Sequence, residues 1–308
     1  MLVCCGLVTL DVSQVVEAVP APDQKVVAEG LAVTFGGPAA NAAATAVALG
    51  VPARLITAVG AGPIAELVRA GLTDAGVAVT DLAADTDASP PVSTVLITRA
   101  TGQRAVASVN AVGMPTLPAP DAGLLDEATA LLVDGHHLSA AVPLAAEARR
   151  RGIPVLLDGG SWKPGLELLL AQVDHAVLSA DFALPGHADP GPPASIRPAE
   201  QIPVMPAGDD DPACAALLDR WPTVRSVARS AGAGPVRLVE RGSDPVLLPV
   251  PTVPRVVDTL GAGDVLHGAI GAELARGAAI GDALRAGIAV ATRSTQYPGA
   301  LGWTRADA

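Results

Sequence analysis

The sequence predicts an α/β fold: a mainly parallel central sheet covered by helices on both faces, carrying a small antiparallel β lid. Three observations lead there. Short runs rich in Val, Leu and Ile alternate with longer Ala/Leu-rich segments whose apolar residues recur at helical spacing. Two stretches, about 12–35 and 89–110, alternate at the two-residue period of strands without helices of their own. Half of the 308 residues are hydrophobic and only 2% aromatic, so a full core is available and must be built from aliphatic side chains.

Taken in order, strands are expected at 2–9, 53–59, 130–134, 153–158, 174–179 and 224–229, and helices at 38–50, 63–75, 139–151 and 164–172. The segment "VSTVLITRATGQRAVASVN", with its Thr-Gly turn, reads as a lid hairpin hinged over the sheet to exclude water. Residues 185–212, rich in Pro, Gly and Asp, read as an exposed loop. Beyond 235 follow short strands in "PVRLVER", "DPVLLPV" and "PRVVDT", then helices at 262–276 and 280–295. No internal repeat or linker divides the chain, so a single domain over 1–308 is expected.

Charge and composition exclude several functions. The formal net charge is −11, the only lysines are Lys25 and Lys163, and no basic cluster exceeds Arg149-Arg150-Arg151. Nucleic acid and anionic membranes are therefore not expected partners. The first residues lack a basic region and meet Asp11 early, and no uncharged apolar run reaches the length of a membrane span. Cys4, Cys5 and Cys214 show neither disulfide nor metal spacing. A cytoplasmic, reduced protein is expected.

The tripeptide Gly-Ala-Gly occurs three times, at 60–62, 232–234 and 261–263. The first, in "LITAVGAGPIAELVRAGL", imitates a dinucleotide fingerprint (Gly60, Gly62, Ala65), with Asp81 near the spacing of a ribose-binding acid. The third lies in "VVDTLGAGDVLHGAI", where a strand is expected to end at Asp258 and a helix to begin near Ala262. Helix N-terminal amides lack internal partners and carry partial positive charge, and Gly261 and Gly263 let backbone approach an anion. Asp264 sits in the first turn, on a stripe with Gly268, Gly271 and Ala275 that is nearly bare, open to a ligand or to another backbone. An acid beside a phosphate cradle is suited to take the proton of a hydroxyl attacking that phosphate. A P-loop and a G-x-S-x-G elbow are absent.

Residues 258–264 match every specified position of Asp-Thr-x-Gly-Ala-Gly-Asp, and here the chain resembles the ribokinase/PfkB family of carbohydrate kinases. "FGGPAANAAATAVALG" resembles that family's N-terminal signature through Gly36, Gly37, Asn41 and Ala43, and the resemblance runs in order from residue 2 to about 303. It implies a ribokinase-like three-layer α/β/α fold and phosphoryl transfer from ATP, with Mg2+ and possibly K+. It makes Asp264 the base and the amides of Gly261, Ala262 and Gly263 the anion hole. Asp11, Gly37 and Asn41 become sugar contacts, and Asp258 helps hold a monovalent cation. Gly232 and Gly234 fall where the family binds nucleotide, although a plain turn fits them equally. Lys163 approaches the nucleotide phosphates or is a solvated surface lysine.

Within the family the chain is closest in character to ketohexokinase, in "GLVTLDVSQVVEAVP" and "PRVVDTLGAGD". It departs from that branch at Pro38, where a sugar-binding Asn stands. The family's Asn-x-x-Glu is replaced by Ser179 and Phe182, with Asp181 as a candidate for ordering metal-bound water or, more simply, a loop cap. His136 and His137 follow a strand and could face the cleft; His267 reads as packing or surface. The expected function is ATP-dependent phosphorylation of a small, fructose-like sugar. A nucleoside kinase, weakened by the few aromatics (Phe35, Trp162, Phe182), and a non-catalytic binding protein are the alternatives. A homodimer through the lid is the expected assembly.

Overall fold

The computed structural model describes residues 1–185 and 211–305. The expected loop at 185–212 thus lies almost wholly outside the described residues; the chain is described again from Asp211, which caps a helix.

Among the described residues, nine strands form one sheet in the order β13-β12-β11-β10-β9-β8-β1-β4-β5. Its parallel part comprises β1 (Leu2–Cys5), β4 (Ala53–Thr57), β5 (Ala78–Asp81), β8 (Ala130–Val133), β9 (Val155–Gly159), β10 (His175–Leu178) and β11 (Ser226–Ala231). β12 (Gly234–Glu240) and β13 (Val246–Leu248) continue it antiparallel. The two-residue alternation of strands divides each one between two cores. Leu2 and Cys4 of β1, Leu132 of β8 and Leu156 of β9 face helices α1 (Pro38–Ala48), α2 (Pro63–Asp74), α6 (Ala262–Ala275) and α7 (Ile280–Ser294). Val3 and Cys5, Leu131 and Val133, and Val155 and Leu157 face α3 (Leu138–Arg150), α4 (Leu166–Leu170) and α5 (Pro212–Arg220). The three layers are those expected of a ribokinase-like fold.

α1 and α6 lie close. A Cβ at Gly268 would stand 2.5 Å from the Ala42 carbonyl oxygen, so the bare stripe on α6 admits the backbone of α1. Each start is set by local chemistry. Gly37 caps α1 at φ +97° with Pro38 in the first turn, and Asp211 caps α5 by accepting the amides of Ala213 and Cys214.

The lid is a second sheet, β3-β2-β6-β7, made of β2 (Thr9–Val16), β3 (Gly30–Gly36), β6 (Val92–Thr98) and β7 (Arg104–Ser108). It is mixed rather than antiparallel. The neighbours β2/β3 and β6/β7 run antiparallel, whereas β2 and β6 are parallel. The chain between β2 and β6 passes through β3, α1, β4, α2 and β5, so both strands leave the main sheet in the same direction. The run read as one strand at 2–9 is two, β1 and β2, separated at Gly6–Val8. The strand expected to end at Asp258 does not form. Residues 254–258 belong to no ladder, and the amides of Val257 and Asp258 both reach the Thr295 carbonyl. Pro254 contributes no donor there, consistent with the missing ladder.

Candidate active site

The candidate residues gather at the carboxyl ends of the parallel strands, where β1 is flanked by β4 on one side and β8 on the other. α1 covers one face of the sheet here and α3 the other. Such a change of direction opens a crevice at the sheet's edge.

At the floor, Gly261 caps α6 in the left-handed region at φ +70°, and a Cβ there would overlap the Ala300 methyl. No described residue comes within 4 Å of a Cβ built at Gly263. Asp258 ties the neighbouring loops together: one carboxylate oxygen accepts the Leu260 amide at 2.8 Å, the other the Gly299 amide at 2.8 Å. Each oxygen keeps a lone pair, which suits a hard monovalent cation without requiring one. Among the described residues, no group of three or more His, Cys, Asp or Glu side chains is placed to hold a metal.

Asp264 rises from the first turn of α6, partly open to the crevice. Asn41 of α1 donates its Nδ2 to Asp264 Oδ2 at 2.7 Å. Burial, and next the charge of Asp158, push the Asp264 carboxyl up to about 7, against the opposing pull of Asn41 and His267. A carboxyl with that pKa accepts a proton near neutrality. From the lid comes Asp11, held by the Thr9 hydroxyl at 2.7 Å and raised above the ordinary carboxylate range, chiefly by burial. Asp11 pairs in register with Thr34 and Ser93, and Ser93 with Ser108, so these polar residues share one lid face. The charge of Asp11 is felt at Asp264, which marks that face as the one toward the crevice. Gly37 must be glycine: a Cβ would stand 2.6 Å from the Leu7 carbonyl.

Three contributors escaped the sequence reading. Asp134, 2% exposed, accepts the amides of Leu7 (2.7 Å), Ala39 (3.2 Å) and His136 (2.9 Å), fixing the start of α1 to the ends of β1 and β8. Asp158 ends β9 beneath Asp264, and burial, then the charge of Asp134, raise its carboxyl to about 8. Both follow apolar strand runs and precede glycine, in "LLVDG" and "VLLDG", and acids at parallel-strand ends are the signal that marks them. Arg104 of the lid donates Nη1 to the Thr259 carbonyl (3.1 Å) and hydroxyl (2.9 Å), joining the lid to the loop before α6.

The structure separates the other candidates. The Gly60–Gly62 loop is filled by the protein itself. Asp81 accepts the amides of Val59 and Gly60, Arg69 bonds the Gly60 carbonyl, and a Cβ at Gly60 would strike the Ala88 carbonyl. Asp81 is thereby a loop clamp, and the dinucleotide motif is a decoy. Gly232 forms the β11–β12 turn at φ +59°, with Gly234 opening β12 and no described residue within 4 Å of a Cβ built at Gly232. Lys163 Nζ donates to the Ser161 carbonyl at 3.3 Å, and its charge acts on Asp158 and His136, which places it on the rim of the crevice. Ser179 donates to the Gly160 carbonyl, Phe182 is buried edge-on against Trp162, and Asp181 is exposed. Phe182 thus cannot stand in for the family's Glu. Trp162 also meets Trp221, and Phe35 lies against Gly71 of α2, so these aromatics are engaged in packing. His136 and His137 are held below the ordinary imidazole pKa by burial. His267, expected as packing, is instead a buried polar cross-link.

The model of pfkB family carbohydrate kinases matches residues 1–191 and 193–304. The chain belongs to that family. It is a ribokinase-like, ATP-dependent carbohydrate kinase that transfers a phosphoryl group to a sugar hydroxyl. Its fold is similar to a ribokinase-like protein of Agrobacterium tumefaciens (TM-score 0.80, 22% identity, 98% of this chain and 93% of that one). It is similar too to the Arabidopsis thaliana ribokinase complexed with ribose and ATP (0.71, 20%, 99% and 98%). A microbiome-derived acarbose kinase matches at 0.75 and 20%, over 96% and 92%. Two of the three are named for ribose and one for acarbose, so the fold alone leaves this carbohydrate kinase's substrate open. Among the described residues no helix is long and apolar enough to cross a membrane.

Proposed function

We propose that this kinase phosphorylates a small, fructose-like sugar from Mg·ATP, with Asp264 as the general base. The observation that carries the reading is the Asp264 carboxyl, raised to about 7 beside the open backbone of Gly263. Under the closed lid, Asp11 and the carbonyl oxygen of Asn41 orient the sugar hydroxyls, with Gly37 leaving room at the helix start. Asp264 takes the proton of one hydroxyl as it attacks the γ-phosphorus. The amides of Gly261, Ala262 and Gly263 meet the charge that develops on the transferred group. Orientation and electrostatics supply the rate, since phosphoryl transfer asks little covalent chemistry of the protein. Mg2+ enters with ATP as part of the substrate. Lys163 reaches toward the phosphates from the rim, and Gly232 and Gly234 border the nucleotide.

The resemblance to ketohexokinase supports the fructose-like choice, and Pro38, which offers no side-chain hydrogen bond, implies a sugar contact unlike that branch's Asn. A nucleoside acceptor is disfavoured because Phe35, Trp162 and Phe182 are engaged in packing. We extend the proposal to a K+ ion beside Asp258, using the free lone pairs of its carboxylate. A homodimer through the lid is also proposed, since Leu31 and Val33 lie exposed on the lid face opposite Asp11. ADP release across a panel of ketoses, aldoses and nucleosides tests the reading; turnover with ketoses supports it, and turnover confined to nucleosides overturns it.

A further inference from the structure

His267 lies one turn beyond Asp264 on α6 and is 5% exposed. Its Nδ1 stands 2.7 Å from the Gly263 carbonyl oxygen and 3.1 Å from Asp158 Oδ2, and its Nε2 3.1 Å from the Val177 carbonyl oxygen. Gly263 belongs to the phosphate loop, Asp158 to the end of β9 and Val177 to β10, so one ring spans the helix start and two strands. Carbonyls only accept, and a neutral imidazole has one N–H to give. The ring therefore satisfies all three neighbours only by sharing a second proton with Asp158. With both ring nitrogens protonated, Nδ1–H meets the Gly263 carbonyl and the Asp158 carboxylate and Nε2–H the Val177 carbonyl, so the pair is an imidazolium beside a carboxylate, neutral overall.

We infer that His267 and Asp158 are positioning residues, a buried proton-sharing pair that pins the first turn of α6, and hence Asp264 and the 261–263 amides, to the ends of β9 and β10. The inference rests on Asp264 being the base. Burial lowers His267 and raises Asp158 to about 8, which works against the ion pair, while the Val177 and Gly263 carbonyls favour the charged ring. The groups facing the pair are Asp134 from the end of β8, Lys163 beyond β9 and Asp264 from α6. Asn41 from α1 and Asp11 from the lid face Asp264 itself. Within the pair the charge of His267 offsets that of Asp158 at Asp264; an Asp158 deprived of its partner would act there unopposed.

The test is a double-mutant cycle on the full chain with His267→Asn, Asp158→Asn and both together, following kcat, sugar KM and the pH dependence of kcat/KM. Each single variant is expected to lose at least about tenfold in kcat, with sugar KM changed by less than about threefold. The double variant should be no worse than the weaker single one. The acid limb of His267→Asn should move to higher pH. Single variants within twofold of the parent, or losses that multiply in the double, overturn the inference. NMR of 15N-histidine-labelled parent protein gives a reading that does not depend on the variants folding. A His267 ring that keeps N–H on both nitrogens, in slow exchange and without titrating, from pH 5.5 to 9 supports the pair; one that titrates like free histidine overturns it. Asp264→Asn run alongside separates the two readings. If that variant turns over normally, the base assignment fails; if it is inactive while both single variants are fully active, only the pair fails.

Discussion

Replacing Asp264 by Asn removes the proposed base while keeping its shape, and the structure sets opposite expectations for rate and stability. A positioned general base contributes about 10²–10⁴ in rate, so kcat should fall by that factor, about 3–5 kcal/mol of transition-state stabilisation. Stability should move the other way. The carboxyl titrates at about 7 in the fold against 3.8 for the free group. Between those values the folded chain binds more protons than the unfolded chain, so the acid's contribution is fully present below about pH 4 and is lost as pH rises through 7. Above pH 7 the ionised group costs at most about 4 kcal/mol, less because part of it meets solvent in the crevice. An Asn at 264 escapes that cost and keeps a neutral bond to Asn41, about 1 kcal/mol weaker than the charged one. The variant should therefore be stabilised by about 1–3 kcal/mol at pH 8 and by little near pH 4. Urea unfolding at the two pH values, with ADP release measured at pH 8, reads both quantities. Turnover within tenfold of the parent, or a stability change independent of pH, refutes the reasoning.

The parent enzyme's kcat/KM should fall with unit slope as pH drops below about 7, because only ionised Asp264 accepts a proton; a flat profile from pH 8 to 5 contradicts this. Gly261→Ala forces a side chain into a left-handed position against Ala300 and should cost at least about 1–2 kcal/mol in thermal or urea unfolding. Gly263→Ala, with open space around it, should leave unfolding within about 1 kcal/mol yet lower kcat by crowding the phosphoryl position. Asp11→Asn should raise the sugar KM about 10-fold or more while ATP KM holds, as expected for loss of one charged hydrogen bond.

Local chemistry was legible before the structure. The βα rhythm, the glycine and proline at the start of α1, and the acid in the first turn of α6 all announce themselves within a few residues. Pairings set by distant segments were not. Nothing near β2 or β6 says that they run parallel, because their direction follows from five intervening elements. The Val-rich 256–258 segment looked like a strand, yet among the described residues its amides meet only the Thr295 carbonyl, and Pro254 withholds a donor. Asp134 and Asp158 were passed over because an acid after a strand has many ordinary explanations; their meaning appears only when adjacent strand ends bring them under α1 and α6. The Asp258-to-Asp264 motif was recognised, but that Asn41 would hold the base, 223 residues away in sequence, came from the packing of α1 on α6.

The most direct measurement is a crystal structure of the kinase with its sugar and a non-hydrolysable ATP analogue. The account predicts one sugar hydroxyl within hydrogen-bond reach of the Asp264 carboxylate and the terminal phosphate against the amides of 261–263. A sugar bound with no hydroxyl near residue 264, or a terminal phosphate held elsewhere, would contradict it.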